Sequence, residues 1–155
     1  MRKGMTIIEI VIVIALMAIL TGVYFVVANP AGQLASSRNS ERKSHLQTIL
    51  NAVRQNMADN RGQFQCSSGP MPTSTKRMTS VAGVGNYNIA PCLLAPGGIL
   101  FTMPFDPSAS SSRYNSVTDY DTAYTIMINA SGTVTLFAPY TETSTRVTST
   151  VTVSG

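Results

Sequence analysis

The stretch IVIVIALMAILTGVYFVVA, residues 10–28, contains no charged side chain and decides how the rest of the chain is organised. At the 1.5 Å rise per residue of an α-helix it spans about 28 Å, close to the hydrocarbon thickness of a bilayer. We therefore predict a helix that inserts into a membrane. Arg2 and Lys3 stand just before the stretch, so the positive-inside rule predicts a cytoplasmic N-terminus with the remainder of the chain outside.

Two simpler interpretations of this stretch compete with a functional membrane helix. A cleaved secretory signal peptide fits poorly, because the apolar run is longer than a usual signal core and residues 24–29 are bulky where a small-residue cleavage site belongs. A plain signal anchor fits the hydrophobicity equally well and stays open on that ground alone.

Glu9 is the residue that separates this helix from a plain anchor. A carboxylate at the edge of an apolar membrane helix costs a few kcal/mol, about 2–4, unless it is neutralised or paired. No Lys, Arg or His follows Glu9 until Arg38, so the helix itself offers no partner. The partner must be a lipid headgroup, a basic residue before the helix, or another chain.

The first nine residues, MRKGMTIIE, carry a family pattern. A short basic leader, Gly4, an apolar residue, Thr6, two aliphatic residues and Glu9 are followed at once by the apolar helix. This arrangement resembles the class III signal sequence of type IV prepilins and pseudopilins, and the resemblance covers roughly residues 1–60. Met5 stands where the family usually has phenylalanine.

The resemblance implies specific roles at the N-terminus. Prepilin peptidase would cleave between Gly4 and Met5 and methylate the new amine of Met5. Glu9 would face the positive N-terminus of a neighbouring subunit during assembly. The implied partners are other copies of the chain, other pilins, prepilin peptidase, an inner-membrane assembly platform and, before assembly, membrane lipid.

The function that follows is that of a structural subunit in a type IV pilus-like filament. The alternative within the same family is a pseudopilin of a type II secretion system, and outside it a single-pass, membrane-anchored binding module that does not polymerise. The implied localisation is the inner (cytoplasmic) membrane with the head outside, then an extracellular or periplasmic filament.

Gly22 inside the apolar stretch and Pro30 just after it predict a kink, since glycine weakens a helix and proline removes one of its hydrogen bonds. A simple helix end at the membrane surface is the other interpretation of Pro30. Further along, apolar residues recur at helical spacing and predict one stripe that packs on a sheet; they are Leu46, Ile49, Leu50, Val53 and Met57. The polar residues Asn39, Glu41, Arg42, Lys43 and Gln47 are assigned elsewhere around the helix.

The second half of the chain predicts a small β-rich head. Residues 123–129 and 133–138 alternate and are rich in strand formers, and residues 130–132 between them have the composition of a hairpin turn. Further strands are predicted at 98–103 and 145–153, and 65–86 is interpreted as a loop. Laid against the apolar stripe, these strands give an α+β fold: a long N-terminal helix packed on a small antiparallel sheet.

The predicted organisation has four parts. They are a leader at 1–4, a transmembrane and filament-core helix at 5–29, an amphipathic helix at 30–62, and a head at 63–155 with a variable loop at 65–97. Cys66 and Cys92 are the only cysteines, and an even count outside the cytoplasm predicts a disulfide between them.

Other functions find little support in the sequence. No nucleophile–base pair, metal cluster or phosphate-binding loop is evident, so neither an enzyme nor a cofactor is predicted. His45 is interpreted as a solvated helix residue, and Asp106, Asp119 and Asp121 as solvated turn carboxylates rather than calcium ligands. Binding of nucleic acid through Arg61, Lys76 and Arg77 is disfavoured, because charges scattered in a loop are usually just solvated.

Overall fold

The computed structural model describes residues 4–94, 98–142 and 151–154. Two helices follow each other at the N-terminus, α1 (Ile7–Ala28) and α2 (Pro30–Asp59). They form one bent run of 53 residues that is interrupted only at Asn29. A short third helix, α3 (Ala90–Leu93), lies in the head.

The head contains a six-stranded sheet in the order β2-β1-β4-β5-β6, and β3 also pairs with β4. The strands are β1 (Lys76–Thr79), β2 (Asn86–Tyr87), β3 (Arg113–Ser116), β4 (Asp119–Ile128), β5 (Val134–Ala138) and β6 (Val151–Ser154). Every pairing is antiparallel except that of β1 with β2, which is parallel and two residues long. The predicted α+β architecture, a long helix and a sheet head, is confirmed, with this one parallel pair as the difference.

The central hairpin forms where the alternating pattern predicts it. β4 and β5 pair from Thr125 with Phe137 to Ile128 with Val134. Gly132 has a φ of +83°, which favours glycine, and the side-chain oxygen of Asn129 accepts hydrogen bonds from the backbone of Ser131 and Thr133. The turn chemistry therefore fixes the register of the two longest strands.

Two predictions about the remainder of the head are wrong. Residues 98–103 form no strand; Leu100 instead donates its backbone N–H to the carbonyl of Leu93 at the end of α3, and Phe101 is fully exposed. The segment interpreted as a loop, 65–86, contains β1 and the first residue of β2. The strand at 76–79 was missed because it buries only Met78 and Thr79 and lacks a long alternating pattern. Of the strand predicted at 145–153, residues 145–150 lie outside the described residues, and the remaining residues, 151–153, belong to β6.

The apolar stripe of α2 packs on the sheet and builds the core. Leu46, Ile49 and Val53 are fully buried. They share one cluster with residues from the sheet, including Met78, Tyr124, Ile126 and Leu136. Each large apolar side chain that is fully buried contributes about 1.5–3 kcal/mol, which makes this stripe the main attachment of α2 to the head.

The end of α2 and the start of the head are fixed by a cap and a disulfide. Gly62 has a φ of +85° and donates its backbone N–H to the carbonyl of Met57 at 2.7 Å, the arrangement of a glycine cap at a helix end. Cys66 and Cys92 form the predicted disulfide, with Cα atoms 5.1 Å apart. On the chain-entropy account, closing a loop of this size stabilises the head by about 3–4 kcal/mol.

Candidate functional site on the N-terminal helix

The predicted cleavage site lies in an open, non-helical segment. Gly4 and Met5 precede α1 and are exposed, while Arg2 and Lys3 lie outside the described residues. An added Cβ at Gly4 would meet no atom within 4 Å. Nothing in the described part of the chain covers the Gly4–Met5 bond.

Thr6 caps the first turn of α1, a local role that the sequence analysis did not assign to it. Its backbone is extended, its hydroxyl oxygen accepts from the N–H of Glu9 at 3.4 Å, and its carbonyl accepts from the same N–H at 3.1 Å. Thr-x-x-Glu is the spacing of a capping box, which would have been readable in the sequence. The two motif residues Thr6 and Glu9 therefore also determine where the helix begins.

The Glu9 carboxylate makes no hydrogen bond or ion pair with any residue that the structure describes. Its place in the first turn lets the helix macrodipole favour its negative charge by about 0.3–1 kcal/mol. That gain is smaller than the cost of about 2–4 kcal/mol for placing a carboxylate in the apolar part of a membrane. The helix end thus reduces the cost of Glu9 without removing it.

The surface of α1 is apolar and uncovered all round. None of its 22 residues is buried, and Ile7 and Val26 are 85% and 82% exposed. At 1.5 Å per residue α1 is about 33 Å long, enough to cross the hydrocarbon layer of a bilayer. The Thr21 hydroxyl donates to the carbonyl of Met17 at 2.7 Å and so meets its need for a partner within the helix. Among the described helices, α1 is a candidate for a single membrane span.

A corner stabilised by side-chain hydrogen bonds joins α1 to α2 at Asn29 and Pro30, where the sequence predicts a kink. Asn29 adopts the left-handed conformation (φ 41°, ψ 67°), and Pro30 is the first residue of α2. The Asn29 side chain accepts from the N–H of Gly32 at 3.2 Å, and Gln33 Nε2 donates to the carbonyl of Ala28 at 2.6 Å. Gly22, the other residue of the predicted kink, lies inside continuous α1.

A buried ion pair ties the first half of α2 to the head. Arg42 on α2 and Asp106 on the loop before β3 both have fully buried side chains. The guanidinium donates from Nε to Asp106 Oδ2 at 2.8 Å and from Nη2 to Oδ1 at 3.1 Å, a bidentate pair. Asp106 Oδ1 also accepts from the backbone N–H groups of Ser108 and Ala109. The predictions that Arg42 lies away from the packed face and that Asp106 is solvated are therefore wrong.

Glu142, after β5, extends the same cluster along α2. Its carboxylate accepts from Arg38 at 3.0 Å and from Arg42 at 3.3 Å. Its backbone carbonyl accepts from Asn39 Nδ2 at 2.8 Å, and its N–H donates to Asn39 Oδ1 at 3.2 Å. These contacts hold the segment that leaves β5 against the helix.

The electrostatic balance of the cluster favours the charged form of Asp106. Burial alone would raise its pKa, but the hydrogen bonds from Arg42 and from the Ser108 N–H outweigh burial and hold the pKa of Asp106 below its ordinary value. For Arg42 burial acts to lower the pKa, and the Asp106 carboxylate outweighs it, so the pKa of Arg42 is raised. Both groups stay ionised across the physiological range.

The signal for this cluster was present in the sequence. Counting back from Leu46 by alternating steps of four and three residues gives Arg42, Asn39 and Ala35, all of them buried. The packed face of the helix therefore continues toward its N-terminus with polar residues instead of apolar ones. Such a pattern indicates buried polar side chains that require partners.

The other candidate residues from the sequence find ordinary partners. His45 is half-buried, with Nδ1 3.1 Å from the Tyr124 hydroxyl, so it is not a freely solvated residue. Asp121 pairs with Arg77 at 2.7 Å, and Asp119 pairs with Arg113 at 2.8 Å.

These pairings also bear on metal and nucleic-acid binding. No group of three metal-ligating side chains occurs among the described residues. The carboxylate of Asp121 neutralises the charge of Arg77. The set Arg61, Lys76 and Arg77, considered for nucleic-acid binding, therefore loses one of its three positive charges.

Comparison of the chain with protein-family models, with curated proteins and with solved structures found no match.

Proposed function

We propose that this protein is a structural subunit of a type IV pilus-like filament and assembles through α1. The observation that carries the proposal is an apolar helix of 22 residues, none of them buried, whose first turn holds one acid without a described partner. Monomeric soluble proteins rarely expose an apolar surface of this size, and such surfaces mark membrane or protein interaction sites. The N-terminal pattern of Gly4, Thr6 and Glu9 supports the filament over other uses of such a helix.

Pairing between copies supplies the partner that Glu9 lacks. If the leader is removed after Gly4, the new amine of Met5 carries a positive charge in an apolar environment. Two opposite charges about 4 Å apart attract by roughly 4 kcal/mol at an effective dielectric constant of 20. This attraction is as large as the cost of about 2–4 kcal/mol for leaving Glu9 unpaired in the membrane. Assembly would therefore be favoured most in the one register that brings the two charges together.

The proposal includes the route to the filament. The chain would enter the inner membrane with its N-terminus in the cytoplasm, be cleaved between Gly4 and Met5 by prepilin peptidase and be methylated on Met5. Subunits would then leave the bilayer through an assembly platform and expose the head outside. A pilus subunit and a type II secretion pseudopilin both follow this route, so the proposal covers both.

One observation favours a second candidate function, a membrane-anchored binding module that does not polymerise. Thr6 caps the helix at the spacing of a capping box, and Glu9 lies where the helix dipole favours an acid. Thr6 and Glu9 therefore stabilise the start of α1 within a single chain, without a contact to a second copy. The anchor predicts an uncleaved N-terminus and tolerance of changes at Glu9.

Intact-mass measurement of the protein from the membrane and filament fractions tests the processing step. The filament subunit is expected to have lost residues 1–4 and gained one methyl group. Retention of Met1 in assembled filaments, or a mature chain that starts elsewhere, would contradict the proposal.

Substitution of Glu9 tests the assembly step. Glu9→Gln keeps the size of the side chain and removes its charge, so filaments are expected to be lost while the chain still enters the membrane. Glu41→Gln makes the same change at an exposed position of α2 and is expected to leave filaments intact. Normal filaments from the Glu9→Gln chain would contradict the pairing of Glu9 with the Met5 amine, whereas the anchor predicts no filaments from either chain.

A further inference from the structure

The outer face of α2 is exposed and uncovered in the described part of the chain. Its middle is a ridge of small or uncharged polar side chains, namely Ser37, Ser40, Ser44, Thr48, Asn51 and Gln55. Charged side chains stand on the two flanks of this ridge. Arg54 lies on one flank and Asp59 on the other, because five residues turn an α-helix through about 140°.

Neither of these two charges meets an opposite charge within its own chain, as far as the described residues show. Arg54 makes no ion pair, and Asp59 accepts only a neutral hydrogen bond from Gln55 Nε2 at 2.9 Å. Both side chains are exposed. A base on one flank and an acid on the opposite flank suit a head-to-tail contact, in which the left side of one copy meets the right side of the next.

The positions of Arg54 and Asp59 along the helix match the register that Glu9 requires. Pairing the Met5 amine of one copy with Glu9 of the next needs a shift of four residues, about 6 Å along the helix. Bringing Arg54 level with Asp59 needs a shift of five residues in the same direction, about 7.5 Å. Since α1 and α2 form one bent run, a copy shifted along α1 is also shifted in the same sense along α2, by the component of that shift along the α2 axis.

We propose that Arg54 of one copy pairs with Asp59 of the neighbouring copy in the assembled filament. The inference rests on the proposed function and adds to it a second contact, outside the membrane, that selects the same axial register as Glu9. Two separate ion pairs that agree on one shift discriminate against neighbouring registers more strongly than either does alone. The occupant of this face of α2 is therefore a second copy of this chain.

The same helix offers a matched control. Glu41 and Lys43 also lie on opposite flanks and are exposed, but here the acid precedes the base. When one copy is shifted by four residues, about 6 Å, its Lys43 lies six positions along the axis from Glu41 of the neighbouring copy. Six positions correspond to about 9 Å. Substitutions of this pair change the same charges without touching the proposed contact.

Charge exchange in the full-length chain tests the proposal. Arg54→Asp or Asp59→Arg alone places like charges opposite each other and is expected to lower the yield of filaments about fivefold at low salt, with a smaller effect at high salt. The double variant R54D/D59R restores an opposite pair between copies and is expected to return the yield to within about twofold of wild type. Glu41→Lys and Lys43→Glu are expected to change the yield by less than twofold.

Cysteine cross-linking gives a second measurement that does not depend on yield. Treatment of filaments built from the R54C/D59C chain with a short bismaleimide, which bridges thiols too far apart for a direct disulfide, is expected to produce a ladder of covalent oligomers, and the same treatment of the E41C/K43C chain mainly monomers. Equal ladders from both chains, no ladder from R54C/D59C, or no rescue by the double charge exchange overturns the Arg54–Asp59 contact.

The failure of this contact is distinguishable from failure of the proposed function. If wild-type filaments form and Glu9→Gln abolishes them while every Arg54 and Asp59 variant behaves as wild type, only the contact is overturned. If the wild-type chain forms no filaments under conditions in which it is processed, both proposals are overturned.

Discussion

The two halves of the N-terminal helical run treat their charged residues in opposite ways. In α1 none of the 22 residues is buried, and Glu9 has no partner among the described residues. In α2 ten residues are buried, and one of them, Arg42, is held by Asp106, Asn39 and Glu142. Among the described residues, the buried charge of α2 therefore has partners within the chain, whereas the charge of α1 has none.

This difference locates the boundary of the internally packed part of the chain between α1 and α2. A buried charge is tolerated only when it is paired and hydrogen-bonded, and Arg42 meets that condition within the head. Glu9 and the apolar surface around it do not meet the corresponding condition in the isolated chain. The described head and α2 therefore pair their buried charges internally, whereas α1 leaves its apolar surface and Glu9 without partners among the described residues.

Removal of α1 is the change with the largest expected effect, and it is expected to act on the solubility and association of the protein rather than on the stability of the head. A fragment of residues 27–155 keeps the Asn29 corner and all of α2, and we expect it to be a soluble monomer with the melting temperature of the full-length head. The full chain is expected to need detergent or lipid to remain dispersed. Light scattering after gel filtration and circular dichroism measure both properties. A fragment that unfolds or aggregates would show that α1 contributes to the stability of the head.

Arg42→Met in that fragment tests whether α2 depends on its internal ion pair. The substitution leaves the Asp106 carboxylate buried without its cation, so the free energy of unfolding is expected to fall by about 3–5 kcal/mol in urea denaturation. Adding Asp106→Asn is expected to recover most of the loss, because the amide oxygen still accepts from the Ser108 and Ala109 N–H groups.

Arg38→Met is the matched control for this loss. Arg38 pairs with Glu142 through side chains that are about one-third exposed, and such pairs contribute about 0–1 kcal/mol. A loss at Arg38 as large as that at Arg42 would show that burial of the pair is not what matters.

The pH dependence of stability gives a smaller effect from the same cluster. The pKa of Asp106 is lower in the folded chain than its unfolded value of about 3.9, so the unfolded state binds the proton more readily. The stabilisation by Asp106 is therefore fully present above about pH 4–5 and is lost as the pH falls through the lowered folded value.

Urea unfolding between pH 6 and pH 2 measures this contribution. Wild type is expected to lose more free energy of unfolding than Asp106→Asn over the acid part of the range. The carboxylates shared by both proteins, including Asp119, cancel in the difference. Equal slopes for the two proteins would contradict the assignment.

The sequence was sufficient for features that depend on a long periodic pattern or on local chemistry. The membrane-length helix, the stripe from Leu46 to Val53, the hairpin at residues 130–132 and the Cys66–Cys92 pair all have such signals. The structure contains each of them where the pattern predicted it.

Features that depend on distant partners were not predictable in the same way. Helical spacing from Leu46 places Arg42 on the packed face, but the identity of its partner was not predictable, because Asp106 lies 64 positions away on a loop. β1 was missed because four residues with two charges carry no alternating signal, and its pairing with β4 decides its conformation. The apolar run at 98–103 forms no strand, because the backbone N–H of Leu100 donates to the carbonyl of Leu93 at the end of α3 instead of to a neighbouring strand.

The corner between the two helices is expected to contribute less to stability than the buried Arg42–Asp106 pair. Substitutions there test whether the stability of α2 depends on its junction with α1. Asn29→Ala removes the cap on Gly32 and places alanine at a positive φ. Together these changes are expected to lower the stability of the 27–155 fragment by about 1–3 kcal/mol.

Gly32→Ala acts on the same corner with opposing terms. A new Cβ would approach Asn29 Nδ2 to 2.9 Å and displace the capping side chain, which costs about 1 kcal/mol. Alanine in place of glycine within a helix returns about 1 kcal/mol. We therefore expect Gly32→Ala to leave the free energy of unfolding within about 0.5 kcal/mol of wild type. A large loss at Gly32 would show that the close contact with Asn29, rather than the cap alone, holds α2 to its starting position.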